Sequence, residues 1–560
     1  MNISFQYANR SNTSVLLKID GVLNNQTVCF LVDAGEGVDI DSLIDEDKNE
    51  YLTGVLLTHL HLDHYSTLGE NLRDGAKIYT SEENERILDT VLSEANSNAE
   101  QNFDRQSIRS AVTPIADSVT IGNNLTITPV PAGHTPGATA FYLEFDTGNG
   151  TETILITGDF TRRKVAGYPG LSLHDTDTLI LTGATSNDFR DSITSAVDNA
   201  LQQGVSGSPT LVTASGLNCV HFSYLLGHAV KRSSQSLQVN IVGQAAKLYD
   251  ALSYDVPNVR AIQQYDPAEV VEAGCITVSG PDIPNSGGSK LLFDEIRDDP
   301  NAGLIQLISS NRSEIAESRC TTNQYVLVNH PSMETIENTV ELLDPKQVVV
   351  THQTGDGLER YRDQFSTIVW APKSNKTFNL YEDGKWSPPH WVSDGVIKKF
   401  SNDSQTVSLS AVQPSSVSFE RTDVDLEEEG IYPNRLTQLS EHDSQNNKYS
   451  TTASPEPGPE SAPISPETGQ SPSGKEVRTD GAAAQPATEP VDTGNTPGGI
   501  EQTLRDIESS LDSIEGKLES RSEIRAKAVH VDSETVVLRT VSAEEMPDVG
   551  ESVVLQRLTE

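Results

Sequence analysis

Short apolar runs separated by polar turns dominate the first 185 residues. VLLKI, VCFLVDAG, GVLLTH, LTITPVPAGH, TAFYLEF, TILITGDF and TLILTG each have the length and β-branched character of a strand, and many end at Gly, His or Asp. One helix-like stretch, around residues 81–98, lies between them. Many strands and few helices predict sheets packed against flanking helices, an α/β arrangement.

The pattern changes over residues 186–325. PTLVTAS precedes a predicted helix near 218–231, VNIVG precedes AAKLYDAL, and CITVSG precedes PDIPNSGGSKLLFDEI. That alternation predicts an inserted α/β unit. Residues 326–395 return to the earlier style with YVLVNH, the helix-like ENTVELL and QVVVTHQTG. Residues 1–185 and 326–395 are therefore expected to form one domain split by the insert, with a β extension over 396–422. From 423 to 497 the chain is rich in Ser, Pro, Glu, Thr and Gly, too polar to offset its ordering entropy, which predicts a disordered linker. In the last unit, 498–560, Ile500, Leu504, Ile507, Leu511, Ile514 and Leu518 follow the spacing of heptad a and d positions. Two arrangements fit: a short coiled coil joining copies of the chain in a homo-oligomer, or a helix packed on its own small sheet of AKAVHV, TVVLRTV and SVVLQRL.

Composition changes the picture in two respects. The chain has 560 residues, 35% of them hydrophobic, so it exceeds one core and part of it is expected to be unpacked. It carries 81 acidic against 40 basic residues, a formal net charge of -41. Such self-repulsion largely vanishes in molar salt, where the Debye length is about 3 Å. This acidic balance resembles that of proteins from halophilic archaea. It argues against a broad basic nucleic-acid face while leaving room for a local basic channel. The four cysteines, Cys29, Cys219, Cys275 and Cys320, are widely spaced with no CxxC pair, which fits a reducing cytoplasm. The opening MNISFQYANRS has no signal-peptide pattern, and no run approaches eighteen apolar residues, so neither secretion nor a membrane span is expected.

The candidate chemistry lies in THLHLDH, residues 58–64, directly after the apolar run GVLL. His59 and His61 are two apart and project to the same side in extended geometry. Asp63 and His64 follow where the chain should turn. Of twelve histidines in the chain, three fall within these few residues. Crowded imidazoles and a carboxylate are the ligands of zinc or a similar divalent ion and are costly to assemble without one.

HLHLDH resembles the HxHxDH signature of the metallo-β-lactamase superfamily, whose fold is an αββα sandwich. LVDAGEG at 31–37 resembles the first motif of that family, AGHTPGA at 132–138 the third and LITGDF at 155–160 the fourth. The resemblance implies a hydrolase with two Zn2+ ions, Mn2+ or Fe2+ being alternatives. It implies His59, His61 and His134 at one ion, Asp63 and His64 at the second, and Asp159 as the bridge. Asp33 would orient a ligand histidine. An ion pair of this kind lowers the pKa of a shared water and gives hydroxide near neutral pH.

TGDF followed by TRRKVAGYPG, and VSGPDIPNSGGSKLLFDEIRDDPNAGLIQLI at 278–308, resemble the β-CASP nucleases, in which a second α/β domain is spliced into the first. VNHPSMETIENTVELLDPKQVVVTH resembles their return segment. By that resemblance His352 is a further ligand of the second ion, and His330 acts at the scissile phosphate. Both histidines follow apolar runs, so both strands are expected to end on one edge. The substrate implied is RNA, with Arg162, Arg163 and Lys164 available to backbone phosphates. Departures stand beside it: Thr182 occupies the place of an acidic residue, Gln353 follows the late histidine, and a Gly-Arg pair is missing. The absent acid favours one alternative, a small-molecule ester, thioester or phosphodiester hydrolase. A catalytically weak metal-binding assembly partner is another.

Overall fold

In the strands Val15–Leu23 and Gln26–Val32, successive side chains leave opposite faces of the sheet. Leu17, Ile19, Val28 and Phe30 enter one core, while Leu16, Cys29 and Leu31 enter another. A sheet apolar on both faces needs two covers. One is a second sheet, which contributes Ile127, Phe141, Leu143 and Leu179 to the shared core. The other includes the helices Glu82–Asn98 and Arg105–Ala111, which bring Ile87, Leu88, Val91 and Ile108. The helix Met333–Leu343 closes the far side of the second sheet through Ile336, Val340 and Leu343. The result is a helix–sheet–sheet–helix sandwich.

This computed structural model describes residues 1–98, 102–148, 150–233, 235–309, 318–372, 374–392, 418–436, 526–531 and 536–540. The chain divides into two compact units, Met1–Pro455 and Glu456–Glu560. In the first unit, the first sheet runs in the order Lys385–Trp386, Phe378–Glu382, Asn2–Tyr7, Val15–Leu23, Gln26–Val32, Glu50–Leu56, Lys77–Thr80, Val112–Pro114. The second runs Ile368–Trp370, Gln347–Thr351, Thr178–Thr182, Thr151–Ile156, Thr139–Asp146, Leu125–Pro131, Val119–Ile121. A third, wholly parallel sheet runs Val259–Ile262, Gln238–Val242, Cys275–Ser279, Thr210–Thr213, Gly303–Ile308, Thr321–Val326. Its inner strands bury residues on both faces. Val212 and Ile305 point toward the helices Phe189–Val205 and Gly216–Ser233, Leu211 and Leu304 toward the helix Gly287–Ile296.

Three expectations change here. The strand before His330 is Thr321–Val326, and it pairs with Gly303–Ile308 in the third sheet, whereas the strand before His352 lies in the second. The two histidines therefore do not end strands on one sheet edge. The proposed β extension over 396–422 has no strand in its described part, residues 418–422. The proposed linker from 423 also begins too early, because residues 418–436 form an ordered strap. Leu426, Ile431 and Leu436 are buried in the core shared with the third-sheet helices, and Glu429 is buried with them. The apolar residues that anchor it are spaced widely among acidic ones, which hides them from a compositional reading.

The second unit shows a hairpin, Ala526–Val531 antiparallel to Val536–Thr540. The heptad at 500–518 and SVVLQRL lie outside the described residues. All four cysteines are free. No described helix is long and apolar enough to cross a membrane.

Candidate metal centre

Leu125–Pro131, Thr151–Ile156, Thr178–Thr182 and Gln347–Thr351 run in one direction in the second sheet. Gln26–Val32 and Glu50–Leu56 run parallel in the first. Carboxyl ends of strands are where sites of α/β proteins gather. His134, Asp159 and His352 follow the strands of the second sheet, with Thr182 the last residue of its own, and Asp33 and the 58–64 segment follow those of the first. Asp33, His134 and His352 have φ of 56, 64 and 52°, the left-handed region. Non-glycine residues persist there at a cost of about 1–3 kcal/mol when their surroundings over-determine them. Gly158, at φ +56°, is needed for close approach: a Cβ there would lie 2.7 Å from that of Thr58.

Asp159 is the hub. Its Oδ2 lies 3.2 Å from His330 Nε2, 3.4 Å from His64 Nε2, 3.9 Å from His134 Nε2 and 4.0 Å from His59 Nε2. Its Oδ1 faces His352 Nδ1 at 3.0 Å and accepts from the Thr182 hydroxyl at 2.7 Å. His134 Nε2 is 3.0 Å from His61 Nδ1. Asp63 Oδ2 lies 3.6 Å from His64 Nε2 and 3.7 Å from His352 Nε2. Each predicted site residue thus reaches this one cluster or, for Asp33, touches it through His64.

The donor set suits divalent ions. The ligand atoms of His59, His61 and His134 lie within 4.8 Å of one another, as do those of Asp63, His64 and His352, and of His134, Asp159 and His330. His59 Nε2 and His64 Nε2 are buried without a hydrogen-bond partner, an arrangement that costs free energy unless something binds them. The opposite ring nitrogens are occupied: His59 Nδ1 by the Thr58 hydroxyl at 3.0 Å, His64 Nδ1 by Asp33 Oδ2 at 2.8 Å, and His134 Nδ1 by the Asn329 carbonyl at 2.8 Å. Asp33 also accepts from the Thr58 amide and hydroxyl at 2.8 and 2.7 Å. Its oxygens are spent, so it orients His64 and leaves ligation to others.

Electrostatics divides the cluster in two. Burial, reinforced by neighbouring histidines, pushes His59 and His134 well below the ordinary imidazole value, and burial brings His61 down to about 4. Those rings offer neutral lone pairs. Burial opposes charge on His64 and His352 too, but Asp159, joined at His64 by Asp33, holds both above the ordinary value. Burial also works against charge on Asp159, yet His352, His330 and His64 outweigh it and hold the carboxyl well below its usual range. A raised imidazole must release its proton before an ion can bind, so affinity there falls as pH falls. On acidification from pH 8, an ion held by Asp63, His64 and His352 should leave first. An ion held by His59, His61 and His134, whose rings burial keeps neutral, should be retained to lower pH. Metal content after gel filtration at each pH measures this; simultaneous loss of both ions would contradict it.

The basic run is not the open patch expected. Arg163 turns inward to Asn329 Oδ1 at 2.7 Å, and Lys164 pairs with Glu428 at 2.5 Å, so only Arg162 stays exposed. Asn329, which also donates to the His134 carbonyl at 2.6 Å, was not anticipated, since nothing in VNH distinguishes it from a turn residue.

A two-sheet α/β sandwich with His/Asp clusters at the strand ends is consistent with a metallo-β-lactamase fold able to hold divalent ions. Residues 29–204 match the family described as Beta-lactamase superfamily domain, which supports a metal-dependent hydrolase. Among solved structures, the chain is similar to a protein of unknown function from Enterococcus faecalis V583, at 13% identity and a TM-score of 0.47 over 68% of this chain and 100% of that one. It is similar to MEM-A1, a subclass B3 metallo-beta-lactamase isolated from a soil metagenome library, at 16% identity and 0.24 over 32% and 76%. A third is BJP-1, a subclass B3 metallo-beta-lactamase of Bradyrhizobium japonicum, at 18% identity and 0.21 over 30% and 69%. No curated protein matches the chain.

Proposed function

We propose that the protein is a metal-dependent phosphodiesterase of the β-CASP type that cleaves RNA, with zinc as its natural ion. The observation that carries this reading is His330. The chain leaves the edge of the third sheet at Val326 and brings His330 Nε2 to 3.2 Å from Asp159. The connection between the parallel sheet and the helix Met333–Leu343 therefore contributes a side chain to the cluster, which supports a substrate that meets both parts of the first unit.

When bound, the ions supply Lewis-acid polarisation of the scissile group and a water of lowered pKa. His59, His61 and His134 would hold one ion, Asp63, His64 and His352 the other, with Asp159 between. The Asp63 carboxylate is half exposed, so it can accept a proton from the attacking water. His330, at the solvent side of Asp159, can donate a hydrogen bond to a phosphate oxygen or a proton to the leaving oxygen. Thr182 keeps Asp159 Oδ1 oriented with a neutral hydroxyl where the resemblance would place an acid.

A small-molecule hydrolase is the second reading. Arg163 and Lys164 are already engaged by Asn329 and Glu428, which leaves fewer cations for a nucleic-acid backbone and favours a compact substrate. Incubation of the full chain with 5′-labelled single-stranded RNA in high salt with zinc or manganese decides between them. The expected result is cleavage by the parent and none by a His59→Ala/Asp63→Ala double variant. A parent that binds two ions and leaves RNA intact would move the small-molecule reading ahead.

A further inference from the structure

Arg163 is a part-buried cation with an enclosed guanidinium Nε. Its guanidinium lies over the Phe189 ring, 4.5 Å from the centroid, and Nη2 donates to Asn329 Oδ1 at 2.7 Å. No carboxylate pairs with it among the described residues, and Nε has no hydrogen-bond partner. Burial, reinforced by nearby Arg190, pushes its pKa down to about 10. Enclosing a cation without an acidic partner carries a desolvation cost, so the contacts it makes here are worth following.

Those contacts set the orientation of Asn329. The two ends of a carboxamide are nearly the same shape but opposite in hydrogen-bonding sense. Arg163 can only donate, so it fixes Oδ1 toward itself and aims Nδ2 at the His134 carbonyl, 2.6 Å away. A flipped amide would set two oxygens against each other. The Asn329 main-chain carbonyl accepts from His134 Nδ1 at 2.8 Å. His134 is thus gripped by ring and backbone, and it needs the grip because its φ is 64°, next to Gly133 at 66°. The strap 418–436 backs the arrangement. A Cβ on Gly430 would come within 3.2 Å of Arg163 Cδ, and the Lys164 amide donates to the Glu428 carbonyl at 3.1 Å.

We propose that Arg163 is a positioning residue for the metal centre, acting through Asn329 to fix His134 as a ligand. The inference rests on the metal-dependent reading above. Its test is cobalt(II) binding by the full chain, because the visible spectrum of the ion reports its ligand geometry and titration gives its affinity. Arg163→Met keeps the apolar stack and removes the donor. It should weaken binding at one site about tenfold or more, the range for losing an outer partner of a ligand histidine, and alter the cobalt spectrum there. Arg163→Lys, which can still donate to Oδ1, should restore most of the affinity. Asn329→Asp keeps size and charge-pairs with Arg163 but cannot donate to His134, so it should reproduce the loss even if Arg163→Met fails to fold. Lys164→Gln touches the strap without touching Asn329 and should leave cobalt binding unchanged. Wild-type affinity and spectrum in both Arg163→Met and Asn329→Asp would overturn the positioning role alone, as would an equal loss in Lys164→Gln. A parent chain that takes up no ion would overturn the metal reading and this role together.

Discussion

Asp159→Asn should empty the centre: no measurable hydrolysis, and metal affinity down by more than about 100-fold, beyond the usual cost of losing an outer partner. Asp159 is 2% exposed and its carboxylate faces the ring nitrogens of His59, His64, His134, His330 and His352, at 3.0 to 4.0 Å. Asp33 also lies close to His59 and His64 but its oxygens are committed to Thr58 and His64, and Asp63 pairs with His64 and His352, so among the described residues Asp159 is the carboxylate best placed to serve both halves. The amide keeps the volume and removes the charge. It also sets an NH2 against imidazoles or against the Thr182 hydroxyl, which now donates to Oδ1. Metal content of the purified variant, read beside its hydrolytic rate, decides the matter. Two tightly held ions in Asp159→Asn would mean that the bridging place belongs to another group.

The cluster is largely legible in the sequence because its candidate ligands sit beside strong strands. GVLL before THLHLDH, LTITPVP before AGH and TILI before TGDF each announce a buried strand with its chemistry at the exit. What escaped depends on contacts distant in sequence. Asn2–Tyr7 pairs locally with Val15–Leu23 and Phe378–Glu382 with Lys385–Trp386, but the pairing that joins them, Ile3 opposite Tyr381, spans most of the first unit and leaves no local signal. His330 was found as a residue, but its preceding strand belongs to the parallel sheet, because YVLV reads equally well in either sheet. In sequence Arg163 is one of three adjacent basic residues available to phosphates, and only the distant Phe189 and Asn329, which enclose it, set it apart.

Glu429 shows the same limit, and it yields the second large effect. In DLEEEG, Glu427, Glu428 and Glu429 are indistinguishable by composition, yet Glu429 is fully buried while the Glu428 side chain is 57% exposed. The Glu429 carboxylate accepts from the Ala166 amide at 2.8 Å and the Gly167 amide at 2.7 Å, and lies 3.4 Å from His221 Nε2. It thereby joins the strap to the 163–168 turn of the sandwich and to the helix Gly216–Ser233. Hydrogen bonds to charged groups contribute about 1.5–3 kcal/mol each, and their loss would leave two enclosed amide donors without their acceptor. Glu429→Ala should therefore cost about 3–5 kcal/mol. Glu429→Gln should be nearly as harmful, because its NH2 must face one of the two amide donors. Glu428→Gln, which loses only a part-exposed pair with Lys164, should stay within about 1 kcal/mol of the parent. All three tryptophans, Trp370, Trp386 and Trp391, lie in the first unit, so their fluorescence during guanidinium unfolding of the full chain follows that unit. Equal midpoints for Glu429→Ala and Glu428→Gln would show that the strap does not hold the sandwich and the parallel layer together.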